Sequence, residues 1–416
     1  MNKFKTIRKK AIKLFTVFVI IGITACTNVL KEGAISDKSL IPDSLNWAEK
    51  MALSQMHRNA DSLAYNPATK SNWNYDKGTY LKGIEMLWHL SENEIYYNYI
   101  KKTMDSFINA DGSINTYKVD EYNIDQVNPG KMVLFLYKKT GEEKYKKAAE
   151  LVRSQLDTHP RTKEGGFWHK KKYPYQMWLD GLYMHASFYT DFAIQFNREK
   201  DFDDIANQFI YISKHTYDPS SGLFYHAWDE SKEQKWANPQ TGCAPNFWSR
   251  GIGWYAMALV DVLEIFPENH PKRADLVQIL QNFASGIVPY QDSTSGVWYQ
   301  LTAYKAERGN YLEASSSSMF VYALAKAYNL GLIDKTYKPF IDKGFNGLLT
   351  TFVSRDSSGI YSLNFNCRSA GLGGKPYRDG SFEYYISEPI ISNDLKGVGP
   401  FIMAAVEMEK MKKTDL

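Results

Sequence analysis

Cysteine is scarce in this sequence, with three residues among 416, at positions 26, 243 and 367. Cys26 follows an N-terminal apolar run, so two cysteines remain for the rest of the chain. In an exported protein Cys243 and Cys367 could form a disulfide, but two thiols so far apart in sequence could equally be buried and free. No Cys/His spacing typical of a structural zinc site occurs. We therefore predict neither a metal nor a cofactor.

The apolar run at the N-terminus, residues 14–23, is too short to span a bilayer. Six basic residues precede it, and Ile23-Thr24-Ala25-Cys26 follows it. A basic start, a short apolar run and small residues before a cysteine are typical of a bacterial lipoprotein signal. We predict a signal peptide over residues 1–25, a lipidated Cys26 and a polar tether over residues 26–41. A plain signal peptide is the alternative.

The sequence also lacks net positive charge once this leader is set aside. The formal net charge of +4 includes the six basic and no acidic residues of the leader, so the remaining chain carries −2. A chain of this charge gives no electrostatic reason to bind nucleic acid. Aromatic residues, in contrast, make up 15% of the chain, including 29 Tyr and 10 Trp. Such rings suit sugar binding, although they also fill a large core.

Two further features are missing, a linker rich in proline, serine or charge and the alternating pattern of β-strands. We therefore predict one all-α domain over residues 42–416. Amphipathic helices are predicted near residues 44–58, 92–109, 142–156, 202–214, 273–285 and 337–352. More apolar partners follow them near residues 78–89, 124–138, 178–196, 252–265, 314–329 and 395–408. Six alternating pairs favour an (α/α)6 barrel of six inner and six outer helices, with an open helical solenoid as the alternative.

The loops that enter the apolar helices carry the polar and aromatic residues expected of a site. In a barrel these loops open on one face, where Asp125 and Asp180 would come from successive inner helices. Two carboxyl groups in a poorly solvated cleft would raise the pKa of one of them and keep it protonated near neutrality. Carboxyl pairs of this kind perform general acid/base chemistry on sugars. The alternative for Asp180 is a helix cap.

Two more positions point to a site on the same face of the barrel. His226 stands between aromatic residues, and Arg250 lies at a glycine-rich helix entry, where a guanidinium suits a bidentate carboxylate. His226 could instead be a hydrogen-bonded core residue, and Arg250 could bridge helices. The glycine-rich turn at residues 371–374 is not a phosphate loop, because it lacks the required Lys and Ser/Thr and follows no strand.

Four blocks of this sequence resemble the signature blocks of unsaturated rhamnogalacturonyl hydrolases, glycoside hydrolase family 105. They are GGFWHK at residues 165–170, YQMWLDGLYM at 175–184, GLFYHAWD at 222–229 and WSRGIGW at 248–254. The resemblance runs from about Trp47 to the Asn-Asp-Leu block at residues 393–395. It implies an (α/α)6 barrel that removes a 4,5-unsaturated uronic acid from the non-reducing end of oligosaccharides left by pectin lyases.

The resemblance also implies a mechanism, in which acid-catalysed hydration of the C4=C5 vinyl ether precedes loss of the aglycone. Asp180 falls on the position of the general acid/base, and Asp125 on that of the second carboxylate. Six residues fall on substrate-binding positions: Tyr75, His169, Lys170, His226, Trp248 and Arg250. We expect Trp248 to pack against the sugar ring, and His226 or Arg250 to make polar contacts that include the uronate.

Other functions remain open at this point. An unsaturated glucuronyl hydrolase of the related family 88 type, or one acting on ulvan, arabinogalactan or glycosaminoglycan fragments, would use the same fold and carboxylates. A surface lipoprotein that only binds glycans belongs to another class, but binding alone gives no reason to pair Asp125 with Asp180. A barrel epimerase acting on free sugars does not explain the export signal. We predict a location in the bacterial cell envelope, anchored through Cys26 on the outer-membrane or periplasmic side, and the sequence leaves the oligomeric state open.

Overall fold

The computed structural model describes residues 41–60, 62–68 and 71–414, and helices dominate these ranges. The described helices are α1 (Trp47–Asn59), α2 (Tyr75–Ser91), α3 (Glu94–Phe107), α4 (Gly130–Thr140), α5 (Glu143–Thr158), α6 (Leu179–Gln195), α7 (Asp201–Thr216), α8 (Ser249–Ile265), α9 (Arg273–Ile287), α10 (Ala314–Asn329), α11 (Lys338–Phe352), α12 (Phe382–Ser387) and α13 (Leu395–Thr414). No helix of the described ranges is long and apolar enough to cross a membrane. The predicted signal peptide, Cys26 and most of the tether lie outside the described residues.

Six helices form a closed inner ring, in which each packs against the next: α2, α4, α6, α8, α10 and α13, with α13 returning to α2. The outer helices α1, α3, α5, α7, α9 and α11 pack around it. Burial separates the two sets, since fifteen of the seventeen residues of α8 are buried but only eight of the sixteen of α7. This is the predicted (α/α)6 barrel, and ring closure rules out the open solenoid.

Short strands connect the helices at one end of the barrel. They are β1 (Gln176–Trp178), β2 (Tyr217–Asp218), β3 (Leu223–Phe224), β4 (Ala227–Asp229), β5 (Val353–Arg355), β6 (Tyr361–Leu363), β7 (Asn366–Cys367) and β8 (Ile390–Ile391). They form antiparallel pairs, β1 with β4, β2 with β3, β5 with β6, and β7 with β8. The β1–β4 pair holds the entry to α6 beside the segment that carries His226, because the Leu179 N–H donates to the His226 carbonyl at 3.0 Å.

One predicted helix is broken in the structure. The pattern at residues 124–138 predicts a continuous helix, but a 3₁₀ turn covers Ile124–Val127 and α4 begins at Gly130, directly after Pro129. Proline has no N–H to donate, so Pro129 cannot continue the hydrogen bonds of the turn into the helix, and the turn and the helix remain separate. Asp125 therefore lies on the turn before α4. The prediction that it belongs to an inner helix was wrong.

A polar cavity lies among the inner helices α2, α4, α6, α8 and α10. It has a volume of about 320 Å³, and its lining includes Lys82, Glu85, Lys131, Asp261 and Lys326. The Lys131 ammonium is buried 3.7 Å from the centre of the Tyr183 ring and has no hydrogen-bond partner among the described residues. Burial lowers the pKa of Lys131 to about 7.

Candidate active site

The N-terminal ends of the inner helices bring the predicted residues to one end of the barrel. Tyr75 is the first residue of α2, Asp180 lies in the first turn of α6, and Trp248 and Arg250 flank the start of α8. Asp125 precedes α4, and the loops before β1 and β4 supply two histidines and a lysine. Helix N-termini carry partial positive charge, so this end of the barrel favours an anionic ligand.

Asp125 is a buried carboxylate held in its charged form. Its Oδ2 lies 2.5 Å from the Lys170 ammonium and its Oδ1 3.4 Å from His169 Nε2. Burial raises the pKa of Asp125, but the charge of the Lys170 ammonium and the hydrogen bond that it donates outweigh burial and leave the pKa below its usual value. Asp125 is therefore not the carboxyl group that we predicted would keep its proton.

His169 contacts both Asp125 and the ring of Trp178. Burial lowers the pKa of His169 to about 4, so its ring is neutral near pH 7. The ring stacks on Trp178, with centroids 4.4 Å apart and planes 8° from parallel. The Trp178 ring in turn meets the His226 ring edge to face at 5.4 Å. Trp178 thus lies between the histidine that contacts Asp125 and the histidine that contacts Asp180.

Asp180 belongs to a hydrogen-bonded chain with His226 and Tyr385. Its Oδ2 lies 3.1 Å from His226 Nε2, and His226 Nδ1 lies 2.6 Å from the Tyr385 hydroxyl. Burial raises the pKa of Tyr385 well above its usual value, so the phenol keeps its proton and can donate it to Nδ1. A His226 ring that accepts this hydrogen bond at Nδ1 would carry its hydrogen on Nε2 and donate to Asp180. Trp178 precedes α6 without a side-chain capping bond, and Asp180 in the first turn of α6 contacts His226.

The two aspartates lie near the same histidine. Asp125 and Asp180 both act electrostatically on His169, which requires both carboxyl groups to lie near the same imidazole. A Cβ built on Gly251, at the start of α8, would lie 3.2 Å from His226 Cδ2 and 3.6 Å from Asp180 Oδ2. Glycine at this position leaves room for the Asp180–His226 contact.

Arg250 bridges helices, which was the alternative considered for it. Its Nε donates to Ser315 Oγ at 2.7 Å, and its Nη2 lies 3.4 Å from Glu313 Oε1 and donates to the Cys367 carbonyl. Glu313 precedes α10 and is fully buried. The guanidinium is 1% exposed and already has a carboxylate partner. Its geometry therefore differs from the predicted contact with a substrate uronate.

Trp248 also occupies a supporting position. Its side chain is 2% exposed, and its ring packs against His226 at 4.6 Å and Tyr385 at 5.9 Å between centroids. The broad face that a sugar would need is covered by these two rings, so the structure does not give Trp248 the stacking role predicted for it. Trp248 instead holds His226 and Tyr385 in place.

Tyr75 lies in the site as predicted. Its ring meets Trp254 edge to face at 6.3 Å. Burial raises the pKa of Tyr75 well above its usual value, and the charge of Asp125 adds to this while that of Arg250 opposes it. Tyr75 is therefore a neutral phenol on which the charges of both Asp125 and Arg250 act.

Sequence reasoning missed Tyr385, Glu313 and the role of Trp178. Tyr385 lies 159 positions from its partner His226, and no local spacing connects the two. Glu313 and Trp178 lie directly before helices, and the sequence alone does not identify their partners. The described residues contain no cluster of three or more His, Cys, Asp or Glu side chains arranged to bind a metal ion. Cys243 and Cys367 are buried free thiols.

Comparisons with known proteins identify the family. Residues 47–412 match the family model described as Glycosyl Hydrolase Family 88. A solved structure of a glycoside hydrolase from family 105 of C. acetobutylicum ATCC 824 is 47% identical, with a TM-score of 0.85, over 88% of this chain and 100% of that one.

Curated relatives agree with this assignment. Protein Atu3128 of Agrobacterium fabrum is 38% identical over 230 residues, which cover 54% of this chain and 97% of that protein. The unsaturated rhamnogalacturonyl hydrolase YesR of Bacillus subtilis is 29% identical over 298 residues, 69% of this chain and 80% of that protein. The family 105 resemblance drawn from the sequence is confirmed. The chain belongs to glycoside hydrolase family 105, within the proteins that the family 88 model describes, and is a glycosidase built on an (α/α)6 barrel.

Proposed function

We propose that this glycosidase removes 4,5-unsaturated galacturonic acid from the non-reducing end of rhamnogalacturonan oligosaccharides. The similarity to the Bacillus subtilis unsaturated rhamnogalacturonyl hydrolase supports this substrate class. The observation that carries the proposal is the pair of buried aspartates, which have different partners and contact two histidines packed against Trp178. Asp125 contacts a lysine, whereas Asp180 contacts the His226 imidazole, which is hydrogen-bonded to the Tyr385 phenol.

The reaction begins at the C4=C5 double bond of the unsaturated sugar. Asp180 gives its proton to C4, the π electrons form the new C4–H bond, and positive charge develops on C5 and the ring oxygen. The ionised Asp125 stabilises this charge, since an anion in a poorly solvated site interacts strongly with a cation. Water then adds to C5 and returns a proton to Asp180, which leaves a hemiketal at C5.

The hemiketal opens by breaking the bond between C5 and the ring oxygen, which gives a ketone at C5 and a hemiacetal at C1. The hemiacetal collapses to an aldehyde, and the aglycone leaves as an alcohol after taking up a proton. One water is consumed, and the conjugated C=C–COOH group disappears. During this reaction His226 orients Asp180, and Tyr385 fixes the tautomer of His226. Lys170 keeps Asp125 ionised.

The test uses the protein that begins after Cys26 and a panel of lyase-generated unsaturated disaccharides. We expect the ultraviolet absorbance of the double bond to fall fastest with unsaturated galacturonate linked to rhamnose. Unsaturated glucuronyl disaccharides, including sulfated ones, form the comparison set. Faster turnover of a glucuronyl substrate would replace the galacturonyl assignment, and binding without turnover of any member would replace the enzymatic one.

Two substitutions test the residues. Asp180→Asn should lower turnover by about 10²- to 10⁴-fold, the range for a positioned acid/base, with the fold retained by circular dichroism. Asp125→Asn should lower turnover as well and move the acidic limb of the pH profile. Near-normal activity of the Asp180 variant would remove that residue from the mechanism, and an unchanged pH profile of the Asp125 variant would remove the coupling between the two carboxyl groups.

We also propose that the enzyme is exported and anchored to the cell envelope through a lipid on Cys26, with the outer membrane as the preferred location. The basic start and the Ile23-Thr24-Ala25-Cys26 sequence support this. Thr27 and Asn28 lack the acidic residue that often retains lipoproteins at the inner membrane. Metabolic labelling with a radioactive fatty acid should label the wild-type protein and not Cys26→Ser. Equal labelling of both would exclude this anchor.

A further inference from the structure

A second feature of the molecule lies beside the active site, and we call it the basic cleft. Residues 172–176 form one wall and residues 368–388 the other, and Gln234 contributes from a third segment. The cavity between them measures about 870 Å³, in the upper part of the range of about 300–1,000 Å³ found for ligand pockets.

The charges of the basic cleft are unbalanced. Its cationic residues are Lys172, Arg368, Lys375 and Arg378, and its only acidic lining residue is Glu388. Within the described part of the chain, none of the four cations forms an ion pair with a carboxylate. A groove lined by one sign of charge concentrates ligands of the opposite sign.

Arg378 is positioned by the backbone around it. Its Nε donates to the Gly373 carbonyl at 2.8 Å, and its Nη2 donates to the Leu372 carbonyl at 3.0 Å and to the Tyr173 hydroxyl at 2.9 Å. These acceptors are neutral, so they fix the guanidinium without cancelling its charge. Arg378 thus links the two walls of the cleft.

The cleft shares its walls with the active site. Tyr173 stacks on Trp178 with centroids 5.1 Å apart, and Trp178 stacks on His169. The Gln176 carbonyl accepts from the His169 N–H at 2.7 Å. On the other wall, Tyr384 precedes Tyr385, the partner of His226. The charge of Lys172 contributes to the lowered pKa of Asp125. The cleft is therefore built from the same segments that hold the partners of the two aspartates.

We propose that the basic cleft is a binding site for an acidic aglycone, in which Arg368 and Lys375, with Arg378, hold the carboxylate of a uronic acid further along the oligosaccharide. This inference rests on the proposed function, because the aglycone of rhamnogalacturonan alternates neutral rhamnose with galacturonate. A disaccharide places only a neutral rhamnose beyond the scissile bond. An unsaturated tetrasaccharide adds one internal carboxylate, which the cleft would bind.

The experiment compares kcat/KM for three substrates of the wild-type protein. They are the unsaturated disaccharide, the tetrasaccharide with an internal galacturonate, and a synthetic tetrasaccharide with galactose in its place. We expect the acidic tetrasaccharide to be preferred about 10-fold over the other two, and the preference to shrink as salt screens the exposed charges. Equal kcat/KM for the acidic and neutral tetrasaccharides overturns the inference.

The second part of the experiment repeats the three kcat/KM measurements with the double variant Arg368→Gln/Lys375→Gln. It should lose the preference and keep the wild-type kcat/KM for the disaccharide, which also shows that it folds. Lys171→Gln removes an exposed neighbouring charge that does not line the cleft and should change neither value. A preference retained in the double variant overturns the assignment of these residues. Failure of the wild-type protein to cleave the disaccharide would instead refute the proposed function.

Discussion

Lys131 gives the most quantitative prediction, because its buried ammonium has no hydrogen-bond partner among the described residues. Burial lowers the pKa of Lys131 from 10.5 to about 7. At about 1.4 kcal/mol per pKa unit, the difference corresponds to about 5 kcal/mol of stability. Between these two pH values the unfolded chain carries a proton that the native chain does not, so this residue makes the native state more stable as pH rises. Below pH 7 the full destabilisation is present.

Lys131→Met keeps the length of the side chain and removes the charge. We expect the variant to be more stable than wild type by about 2–4 kcal/mol at pH 7, because it loses the ionisation penalty together with a contact to the Tyr183 ring. From pH 7 to pH 9 the gain should shrink by roughly 2 kcal/mol, as wild type recovers its own stability. Urea unfolding followed by tryptophan fluorescence at the two pH values measures both quantities.

The matched control is Lys82→Met in the same cavity. Burial lowers the pKa of Lys82, but the nearby Glu85 and Asp261 outweigh burial and leave the pKa above its usual value. Lys82 Nζ lies 2.9 Å from Glu85 Oε2. Lys82 is thus protonated in both states between pH 7 and pH 9, and its substitution should destabilise the protein equally at both. A gain for Lys131→Met that is the same at pH 7 and pH 9, or a loss at pH 7, would refute the reasoning.

The remaining predictions concern the active site. Lys170→Met removes the charge that opposes burial at Asp125, so the pKa of Asp125 should rise and the acidic limb of the kcat/KM profile should move to higher pH; Lys171→Met, which lacks a contact with Asp125, should leave the profile in place. An unshifted profile for Lys170→Met would contradict the role of Lys170. Tyr385→Phe keeps the ring and removes the hydroxyl at 2.6 Å from His226, so kcat on the disaccharide should fall about 10-fold with little change in KM. Tyr384→Phe is the control. Equal kcat values for the two variants would show that the Tyr385 hydroxyl does not contribute to the reaction.

Local pattern predicted most of the barrel, because each inner helix is apolar on nearly all sides and each outer helix on one side. The exception at Asp125 has a local cause as well, since Pro129 separates the turn from α4. Pro129, inside the predicted helix, could therefore have indicated the break between the turn and α4. α13 continues through Pro400, which shows that a proline does not by itself end a helix.

The site was predicted in part, and the missing part depends on contacts between distant segments. Asp180, His169 and His226 lie within blocks that sequence could identify, and Asp125 lies in a loop that enters a predicted inner helix. The partner of His226 comes from the short helix α12, which the helical pairing does not include. Arg250 shows the same limit, because its residue type suggests a ligand contact, whereas its partner Glu313 is defined only once α8 and α10 are adjacent.

Closure of the inner ring by α13 sets an order of events during biosynthesis. α2 and α1 both pack against α13, so the first helices to leave the ribosome complete their packing only with the last one. Until then their apolar surfaces are open to solvent or to chaperones, and contacts between such distant segments form slowly. The inner ring, and with it the end of the barrel that holds the two aspartates, is therefore complete only after residues 395–414 have been synthesised.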